Sequence, residues 1–237
     1  MHLLHYLQKT QHLSRRKIVE LIKEGQIFVN NQKVESIKHP LKLWDTIFKN
    51  NDRLLIVETI PNTQTKIVLF NKPKGFVVSK SDPHNATIYE ILPSELKTYY
   101  YIGRLDKESK GLLLLTNAPE IVHYYEHPKF NIQKEYLVQL SHTMNFQDRQ
   151  QTKRWITDDG EVLKFLEISP TNVPFQYKIL LNEGKKRHIR RIMKSLGYEV
   201  VDLQRIREGE FILWDIPEGK RKISTLSSSF PWNEKPE

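Results

Sequence analysis

An aspartate near the middle of the chain stands between an arginine and a run of leucines. Residues 103–106 read Gly-Arg-Leu-Asp, and residues 111–117 read Gly-Leu-Leu-Leu-Leu-Thr-Asn. If an arginine keeps it ionised in a water-poor cleft, the Asp106 carboxylate can act as a nucleophile or stabilise an oxocarbenium-like centre. It can also cap a turn or pair with Arg104, and spacing alone favours that structural role. The choice between the two roles depends on the rest of the chain.

A tyrosine occurs inside a segment that has the alternating pattern of a strand. Residues 134–140 read Lys-Glu-Tyr-Leu-Val-Gln-Leu, which places Tyr136 in this predicted strand. A tyrosine at such a position is more often a half-buried strand residue than a catalyst. In a nucleotide pocket, however, its ring can stack on a base.

A strongly basic segment covers residues 184–197. Apolar residues recur there at helical spacing and cations recur on the opposite flank, namely Ile189, Ile192, Met193 and Leu196 against Arg187, Arg190, Arg191 and Lys194. The six cations within residues 185–194, which include Lys185 and Lys186, have no interleaved acid with which to form i, i+4 pairs. Closely spaced like charges repel one another, and a phosphate backbone relieves that repulsion. We therefore predict a helix that binds nucleic acid, in preference to a solvated basic face.

A second basic helix start lies near the N-terminus. Ser14 has the character of an N-cap, and Arg15, Arg16 and Lys17 follow it. Backbone N–H groups, the helix dipole and the arginines can together hold a phosphate. Alone, this pattern fits a binding role and a structural role equally well. The presence of two basic helices in one chain favours nucleic-acid binding.

The overall composition restricts the classes of protein that are compatible with these residues. The chain of 237 residues carries 37 Lys and Arg against 28 Asp and Glu, and this excess of positive charge favours a polyanionic partner. No cysteine is present, which excludes disulfides, thiolate catalysis and cysteine-ligated zinc and suits a reducing cytoplasm. No apolar run approaches the length of a membrane-spanning helix, and the N-terminus lacks the features of a signal peptide.

The pattern of elements predicts two α+β units. Residues 1–60 contain a predicted helix at 15–24, a hairpin around Asn30-Asn31 and a strand at 52–57. The polar, proline-led residues 61–65 are a predicted linker, and residues 66–237 form the second unit. There we predict a turn at 71–75, helices at 87–92, 120–125 and 187–196, strands at 66–70, 76–78, 112–115, 134–140, 177–181 and 211–213, and a frayed tail after about residue 226.

Taken in order, these motifs resemble those of the bacterial ribosomal-RNA pseudouridine synthases of the RsuA-like branch. The likeness covers nearly the whole chain, and residues 1–60 resemble the S4-type RNA-binding domain that precedes the catalytic domain in this branch. The motifs that carry it are Asn-Lys-Pro-Lys-Gly at 71–75, Gly-Arg-Leu-Asp at 103–106, the run at 111–117, Lys-Glu-Tyr-Leu-Val at 134–138 and the basic helix that begins with Glu-Gly-Lys at 183–185. Departures from the family pattern are Lys186, His188 and Ala118-Pro119.

The resemblance implies a fold class and a reaction. The fold would be α+β, with a small S4-type RNA-binding domain followed by a pseudouridine synthase catalytic domain that has a central antiparallel sheet. The reaction would be isomerisation of uridine to pseudouridine in ribosomal RNA, by a cytoplasmic monomer that does not bind membranes. Because an isomerisation exchanges no electrons or groups with other molecules, no cofactor and no metal are expected.

The resemblance also implies roles for individual residues. Asp106 is expected to be the catalytic carboxylate, Tyr136 the aromatic residue that contacts the target base, and Arg190 the ion-pair partner of Asp106. Ile189 is expected to help wall the pocket. RNA contacts are expected from Arg104, Lys185, Arg187, Arg191 and Lys194 and, in the N-terminal domain, from Ser14, Arg15 and Arg16.

Two alternative functions use the same N-terminal domain. A non-catalytic RNA-binding or ribosome-assembly protein would have no need of Asp106, and the long likeness after residue 66 argues against it. An S4-domain methyltransferase would need a Gly-rich loop after a strand, and the nine glycines include no GxGxG. The carboxylate can bond covalently to the sugar or base, or act as a base at the ribose. Both routes stay open, as does the choice between small- and large-subunit RNA.

Overall fold

Apolar residues at helical and strand spacing divide the protein into two separately packed units. The computed structural model describes residues 2–42, 45–50, 52–56 and 65–225. The two units comprise residues 1–63 and 64–237. The predicted linker at 61–65, apart from Thr65, and the predicted tail after residue 226 lie outside the described residues. Within the described ranges, no helix is long and apolar enough to span a membrane.

The first unit packs two helices against an antiparallel sheet with the strand order β2-β1-β3-β4. Its elements are α1 (Leu3–Gln11), α2 (Arg15–Lys23), β1 (Ile27–Val29), β2 (Gln32–Lys33), β3 (Thr46–Lys49) and β4 (Asp52–Ile56). The Ser14 hydroxyl accepts a hydrogen bond from the backbone N–H of Lys17 at 3.2 Å, which confirms the predicted N-cap of α2. Ile18, Leu21 and Ile22 face the core of this unit, as their spacing predicts.

The second unit is built around one large, mostly antiparallel sheet. Its helices are α3 (Ile88–Ile91), α4 (Pro119–Glu126), α5 (Phe146–Gln151) and α6 (His188–Ser195). Its strands are β5 (Lys66–Lys72), β6 (Tyr100–Ile102), β7 (Lys110–Thr116), β8 (Lys134–Leu140), β9 (Ile156–Asp158), β10 (Glu161–Leu163), β11 (Glu167–Pro170), β12 (Gln176–Leu181), β13 (Val200–Glu208), β14 (Phe211–Ile212) and β15 (Arg221–Thr225). The strand order is β11-β12-β8-β13-β7-β5-β15, with β6 added on β7 and β14 on β13. Strands β9 and β10 form a separate hairpin.

Both faces of the sheet are covered, and the sequence of its central strand β7 reflects this. Leu113 and Leu115 pack with α3 and α6 on one face, whereas Leu112 and Leu114 pack with α4 on the other. A strand buried on both faces needs a continuous apolar run instead of an alternating one. Strand β8 instead alternates between buried and half-buried residues, as predicted. Strand β13 lies between β7 and β8, parallel to the first and antiparallel to the second.

The predicted turn at residues 71–75 begins two residues later than expected. Asn71 and Lys72 complete β5 and are buried in the second unit. The chain leaves the sheet only after Pro73, which has no N–H to donate to a neighbouring strand. Gly75 then turns with a φ of +90°. Lys72 is therefore buried, although a lysine would ordinarily be expected at the surface.

The predicted strand at residues 76–78 is wrong. Only Val77 pairs, in an isolated bridge with Thr87, because the chain has left the sheet and runs beside the start of α3.

The predicted helix at residues 187–196 is confirmed with a later start. Arg187 has a left-handed φ of 52° and is the N-cap of α6.

Candidate active site

A cleft of about 680 Å³ lies in the second unit, bordered by the loop after β6, by β8 and by the start of α6. Asp106, Tyr136 and Ile189 all line this cleft, so the fold brings together three residues that are far apart in the sequence. Seven cations also line it, namely Arg104, Lys107, Lys134, Lys185, Lys186, Arg187 and Arg205. The site thus combines the Asp106 carboxylate and the Tyr136 ring with positive charges that suit a phosphate backbone.

The loop that carries Asp106 is tied to the strand beneath it. Gly103 turns the chain out of β6 with a φ of +64°. The backbone N–H of Ser109 donates to the carbonyl of Asp106 at 3.0 Å. From β5, the Lys72 ammonium donates to the carbonyls of Pro73, Asp106 and Ser109 at 3.0, 3.2 and 2.8 Å. These contacts fix the backbone from Asp106 to Ser109 against the end of β5, and Asp106 itself lines the cleft.

The Lys72 side chain is fully buried, and this changes its protonation. Burial lowers the pKa of Lys72 to about 8, although the charges of Asp106, Glu108 and Glu218 oppose the decrease. At neutral pH the ammonium form still dominates and keeps three N–H donors for its three carbonyl partners.

Tyr136 presents an aromatic surface with one polar end. It lies on β8 directly opposite Arg205 of β13 and is 7% exposed. Burial raises the pKa of Tyr136, whereas the charge of Arg205 and a hydrogen bond from it act in the opposite direction. With a pKa above the usual value of about 10, the phenol is neutral at physiological pH. A neutral ring can stack on a base, and its hydroxyl can donate or accept a hydrogen bond.

Arg190 does not form the direct ion pair with Asp106 that the family resemblance implied, although both residues lie in the described part of the chain. Its guanidinium donates instead to the carbonyl of Val200 at 3.0 Å and to that of Glu108 at 3.4 Å. Burial and the nearby Arg187 lower the pKa of Arg190, and the charge of Asp106 opposes them. Arg190 therefore joins α6 to the loop of Asp106 and acts on the carboxylate at longer range.

Several cations of α6 have acidic partners that the helix sequence itself lacks. Arg191 pairs with Asp158 and Glu161 of the hairpin formed by β9 and β10. Arg187 lies 3.1 Å from Glu108. The expectation of a row of unpaired cations is therefore wrong for these two arginines, because the partners come from distant parts of the chain. Lys185 is half-buried and also has an acidic neighbour, Glu183, at 3.6 Å, whereas Lys186 and Lys194 are exposed.

The predicted N-terminal phosphate site lies at the start of α2. Ser14, Arg15 and Arg16 are exposed there within the first unit. The Ser14 hydroxyl is used as a helix cap, so the two arginines remain the groups that can reach a phosphate.

Four buried charged residues beneath the cleft received no role from the sequence. They are Lys72, Lys134, Arg205 and Glu208. Glu208 lies 3.1 Å from Arg205 and 3.7 Å from Lys134. Ionisable groups are almost never fully buried unless they are paired, so this cluster is a feature of the site. A usable signal was present, since Lys134 occupies the same face of its alternating strand as Tyr136.

Comparison with known proteins agrees with both units. Residues 66–195 match the family described as RNA pseudouridylate synthase, and residues 7–47 match the S4 domain. An uncharacterized RNA pseudouridine synthase of Aquifex aeolicus is 28% identical over 222 residues, covering 88% of this chain and 85% of the relative. The dual-specificity RNA pseudouridine synthase RluF of Escherichia coli K12 is 29% identical over 215 residues, covering 91% of this chain and 72% of the relative.

A third relative and a solved structure extend the likeness. The ribosomal large subunit pseudouridine synthase B of Vibrio cholerae is 26% identical over 212 residues, covering 87% of this chain and 66% of the relative. A crystal structure of a pseudouridylate synthase has the same fold, with a TM-score of 0.64, 24% identity and coverage of 97% of both chains. Since the matched segment 66–195 makes up more than half of the chain and contains Asp106, Tyr136 and Ile189, this protein belongs to the RNA pseudouridylate synthase family.

Proposed function

We propose that this protein isomerises uridine to pseudouridine in ribosomal RNA, with Asp106 as the catalytic carboxylate. The observation that carries the proposal is the shared cleft of Asp106, Tyr136 and Ile189 within the segment that matches the synthase family. Ribosomal RNA is the proposed substrate because a relative is named for the large ribosomal subunit. The S4 domain at residues 7–47 supports RNA as the partner.

The side chains around the cleft suggest how the reaction is divided among them. The N-glycosidic bond of the target uridine must break, the uracil must turn, and a bond from carbon 5 to the sugar must form. The Asp106 carboxylate supplies the negative charge that stabilises the reacting centre. The neutral Tyr136 ring stacks on the base and its hydroxyl lies near the proton that leaves carbon 5. Ile189 supplies an apolar wall that limits how the uracil can turn.

The surrounding cations hold the RNA while one nucleotide is extruded. Taking a uridine out of its stack costs a few kcal/mol, and looped or bulged uridines cost least. Arg104 and the cations at the start of α6 lie beside the cleft and contact the flanking phosphates. Arg190 keeps α6 joined to the loop of Asp106 and thereby supports the carboxylate from behind.

We also propose a division of labour along the chain. Residues 1–60 form an S4-type RNA-binding domain in which Ser14, Arg15 and Arg16 begin the basic helix, residues 61–65 form the linker, and residues 66–237 form the catalytic domain. The protein acts in the cytoplasm, where ribosomal RNA is assembled into subunits, as a monomer that carries its own RNA-binding domain.

The test is to incubate the purified protein with unmodified small- and large-subunit rRNA and to map new pseudouridines by carbodiimide-stop sequencing. We expect one or a few new stops with the wild-type protein. Asp106→Asn should lower the single-turnover rate by more than about a thousandfold, because the reacting group itself is removed. RNA affinity should change little.

Glu167→Gln is the matched control, because it makes the same carboxylate-to-amide change at an exposed residue of β11. It should retain wild-type turnover. Substantial turnover in Asp106→Asn would refute the assignment of the carboxylate. Tight binding without any new stop, on free rRNA and on partly assembled subunits alike, would instead favour the non-catalytic RNA-binding protein.

A further inference from the structure

Arg205 is almost completely buried at the base of the cleft, and its guanidinium is held by groups of two neighbouring strand segments. Its side chain is 1% exposed and lines the cleft. The Nε atom donates to the carbonyl of Leu112 on β7 at 2.7 Å. One terminal nitrogen lies 3.1 Å from the Glu208 carboxylate. The side chain is therefore fixed by the neighbouring strand on one side and by an acid of its own strand on the other.

Tyr136 lies directly opposite Arg205 in the pairing of β8 with β13. Directly opposed residues of antiparallel strands have Cβ atoms about 5 Å apart, on the same face of the sheet. Both side chains line the cleft. The positive charge of Arg205 opposes the rise in the pKa of Tyr136 that burial causes. The guanidinium and the phenol therefore lie on the same face of the sheet, side by side in the cleft.

The loop that carries Asp106 meets Arg205 at both of its ends. A Cβ atom added to Gly103, at the start of the loop, would lie 3.7 Å from a terminal nitrogen of Arg205. A Cβ atom added to Gly111, just after the loop, would lie 2.3 Å from the carbonyl oxygen of Arg205. Both glycines have positive φ, of +64° and +106°. The end of the loop at Gly111 therefore approaches the Arg205 backbone more closely than a side chain would allow, and its start at Gly103 lies in ordinary van der Waals range of the guanidinium.

Stability alone is a poor reason for such a residue. Replacing a buried ion pair with apolar residues of similar volume is often neutral or stabilising, because burying two charges costs much of what their attraction returns. Arg205 and Glu208 are nevertheless both buried on β13. A role in the active site explains why two charged residues occur at these buried positions.

We propose that Arg205 is a positioning residue of the isomerisation, which holds the Tyr136 hydroxyl in the cleft and sets it against the loop of Asp106. Glu208 compensates the charge of Arg205 and orients its guanidinium. Arg205 does not touch the substrate in this arrangement and acts through Tyr136. The inference rests on the proposed function, because it assigns a role within that reaction.

A double-mutant cycle tests the inference. Single-turnover rates and RNA dissociation constants are measured for the wild type, Arg205→Lys, Tyr136→Phe and the double variant. Arg205→Lys keeps the charge beside Glu208 but loses the planar fork that reaches two partners at once. We expect it to lower the rate about 30-fold with Tyr136 present and less than about threefold in Tyr136→Phe, with unchanged RNA affinity in both. Equal losses in the two backgrounds would overturn the proposal, because a purely structural role does not depend on the phenol oxygen.

A spectroscopic measurement separates this inference from the proposed function. Tyrosine labelled with ¹³C at Cζ gives one signal for each of the ten tyrosines, and Tyr136→Phe identifies the signal of Tyr136. Arg205→Lys should shift that signal more than any other, which requires no turnover. If the wild type forms no pseudouridine, the proposed function fails, and the change in the Tyr136 signal then shows by itself whether Arg205 contacts the Tyr136 hydroxyl. An unmoved Tyr136 signal in folded Arg205→Lys would overturn the inference even in an active enzyme.

Discussion

Cations occupy two opposite environments in the second unit. One set lies beneath the cleft with 9% or less of its surface exposed, and these buried cations are Lys72, Lys134 and Arg205. The other set lies along α6 where the helix meets solvent, and these helix cations are Arg187, Arg191 and Lys194. The residue types are the same in both sets. The difference lies in their partners, and the partners decide what each cation can do.

The buried cations have lost water and must be compensated by fixed groups. Burial lowers the pKa of both lysines, Lys72 and Lys134, and their partners are backbone carbonyls or the buried Glu208. Such partners fix a geometry. Arg187 and Lys194 are exposed and keep much of their hydration, so they remain able to bind a phosphate. The Arg191 side chain is only 18% exposed, and its hydrogen bonds to Glu161 and Asp158 raise its pKa.

Gly111→Ala should lower the free energy of unfolding most, because its added methyl group would clash with the backbone of Arg205, one of the buried cations. Gly111 has a φ of +106°, and an added Cβ would lie 2.3 Å from the carbonyl oxygen of Arg205. Both the strained φ and the backbone clash would have to be relieved by moving β7 away from β13. We expect a loss of more than about 3 kcal/mol in the free energy of unfolding, measured by urea denaturation.

Gly184→Ala is the matched control for that experiment. Gly184 has no left-handed φ, and an added Cβ would meet nothing within 4 Å. Its free energy of unfolding should change by less than about 1 kcal/mol. Equal stability of the two variants would mean that β7 and β13 are not held as closely as the structure has them.

Lys72→Met should have the next largest effect. It removes the ammonium donor from the carbonyls of Pro73, Asp106 and Ser109, of which only that of Asp106 keeps a second donor, the Ser109 N–H. We expect a loss of about 2–3 kcal/mol at pH 7 and slower isomerisation, because the backbone from Asp106 to Ser109 is released from β5. Lys222→Met, an exposed lysine of β15, should change neither quantity measurably.

The stability difference between wild type and Lys72→Met should also depend on pH. The folded-state pKa of Lys72 is about 8, below its ordinary value of 10.5. Between these values the unfolded chain binds the proton more tightly, so the free energy of unfolding of the wild type rises with pH. The difference should grow by about 1–3 kcal/mol from pH 7 to pH 10, measured by urea denaturation at each pH. A constant difference would show that Lys72 is not desolvated.

Local sequence signals were enough for elements whose pattern is continuous. The N-cap at Ser14, the leucine run of β7 and the alternation of β8 each predicted an element that the structure confirms. Strand β13 was missed for the opposite reason. Arg205 and Glu208 are buried in this strand, whereas charged residues are normally expected to face solvent, so its alternating pattern was not recognised. For the same reason, Lys72 was not expected to be a buried residue at the end of β5.

The sequence indicated which residues line the candidate site, but it did not indicate the ion pairs that connect them to the rest of the fold. Motifs in the sequence indicated Asp106, Tyr136 and Ile189, and the structure brings all three to one cleft. Ion pairs between distant segments cannot be read from spacing, because the partners of Arg191 lie in the hairpin around Asp158, which is itself polar and was not predicted. The partner of Arg190 was mistaken for the same reason.

Arg191→Ala should mainly lower stability, although Arg191 belongs to the helix cations. Its guanidinium pairs with Asp158 and Glu161 and also donates to the backbone carbonyl of Asp158. Losing these contacts releases the β9–β10 hairpin from α6. We expect the melting temperature to fall by about 2–4 °C, with little change in RNA affinity. A large loss of affinity at unchanged melting temperature would place Arg191 among the phosphate contacts instead.

Lys194→Ala should have the smallest effect and the most specific one. Lys194 lies three residues after Arg191 on α6 and is exposed. A lysine that meets a phosphate releases about one counterion, so its removal should weaken binding a few-fold and lower the slope of log affinity against log salt by about one. Melting temperature and the single-turnover rate at saturating RNA should not change. If the salt slope is unchanged, Lys194 is a solvated surface residue, and the phosphate contacts of this helix are confined to the cations that line the cleft.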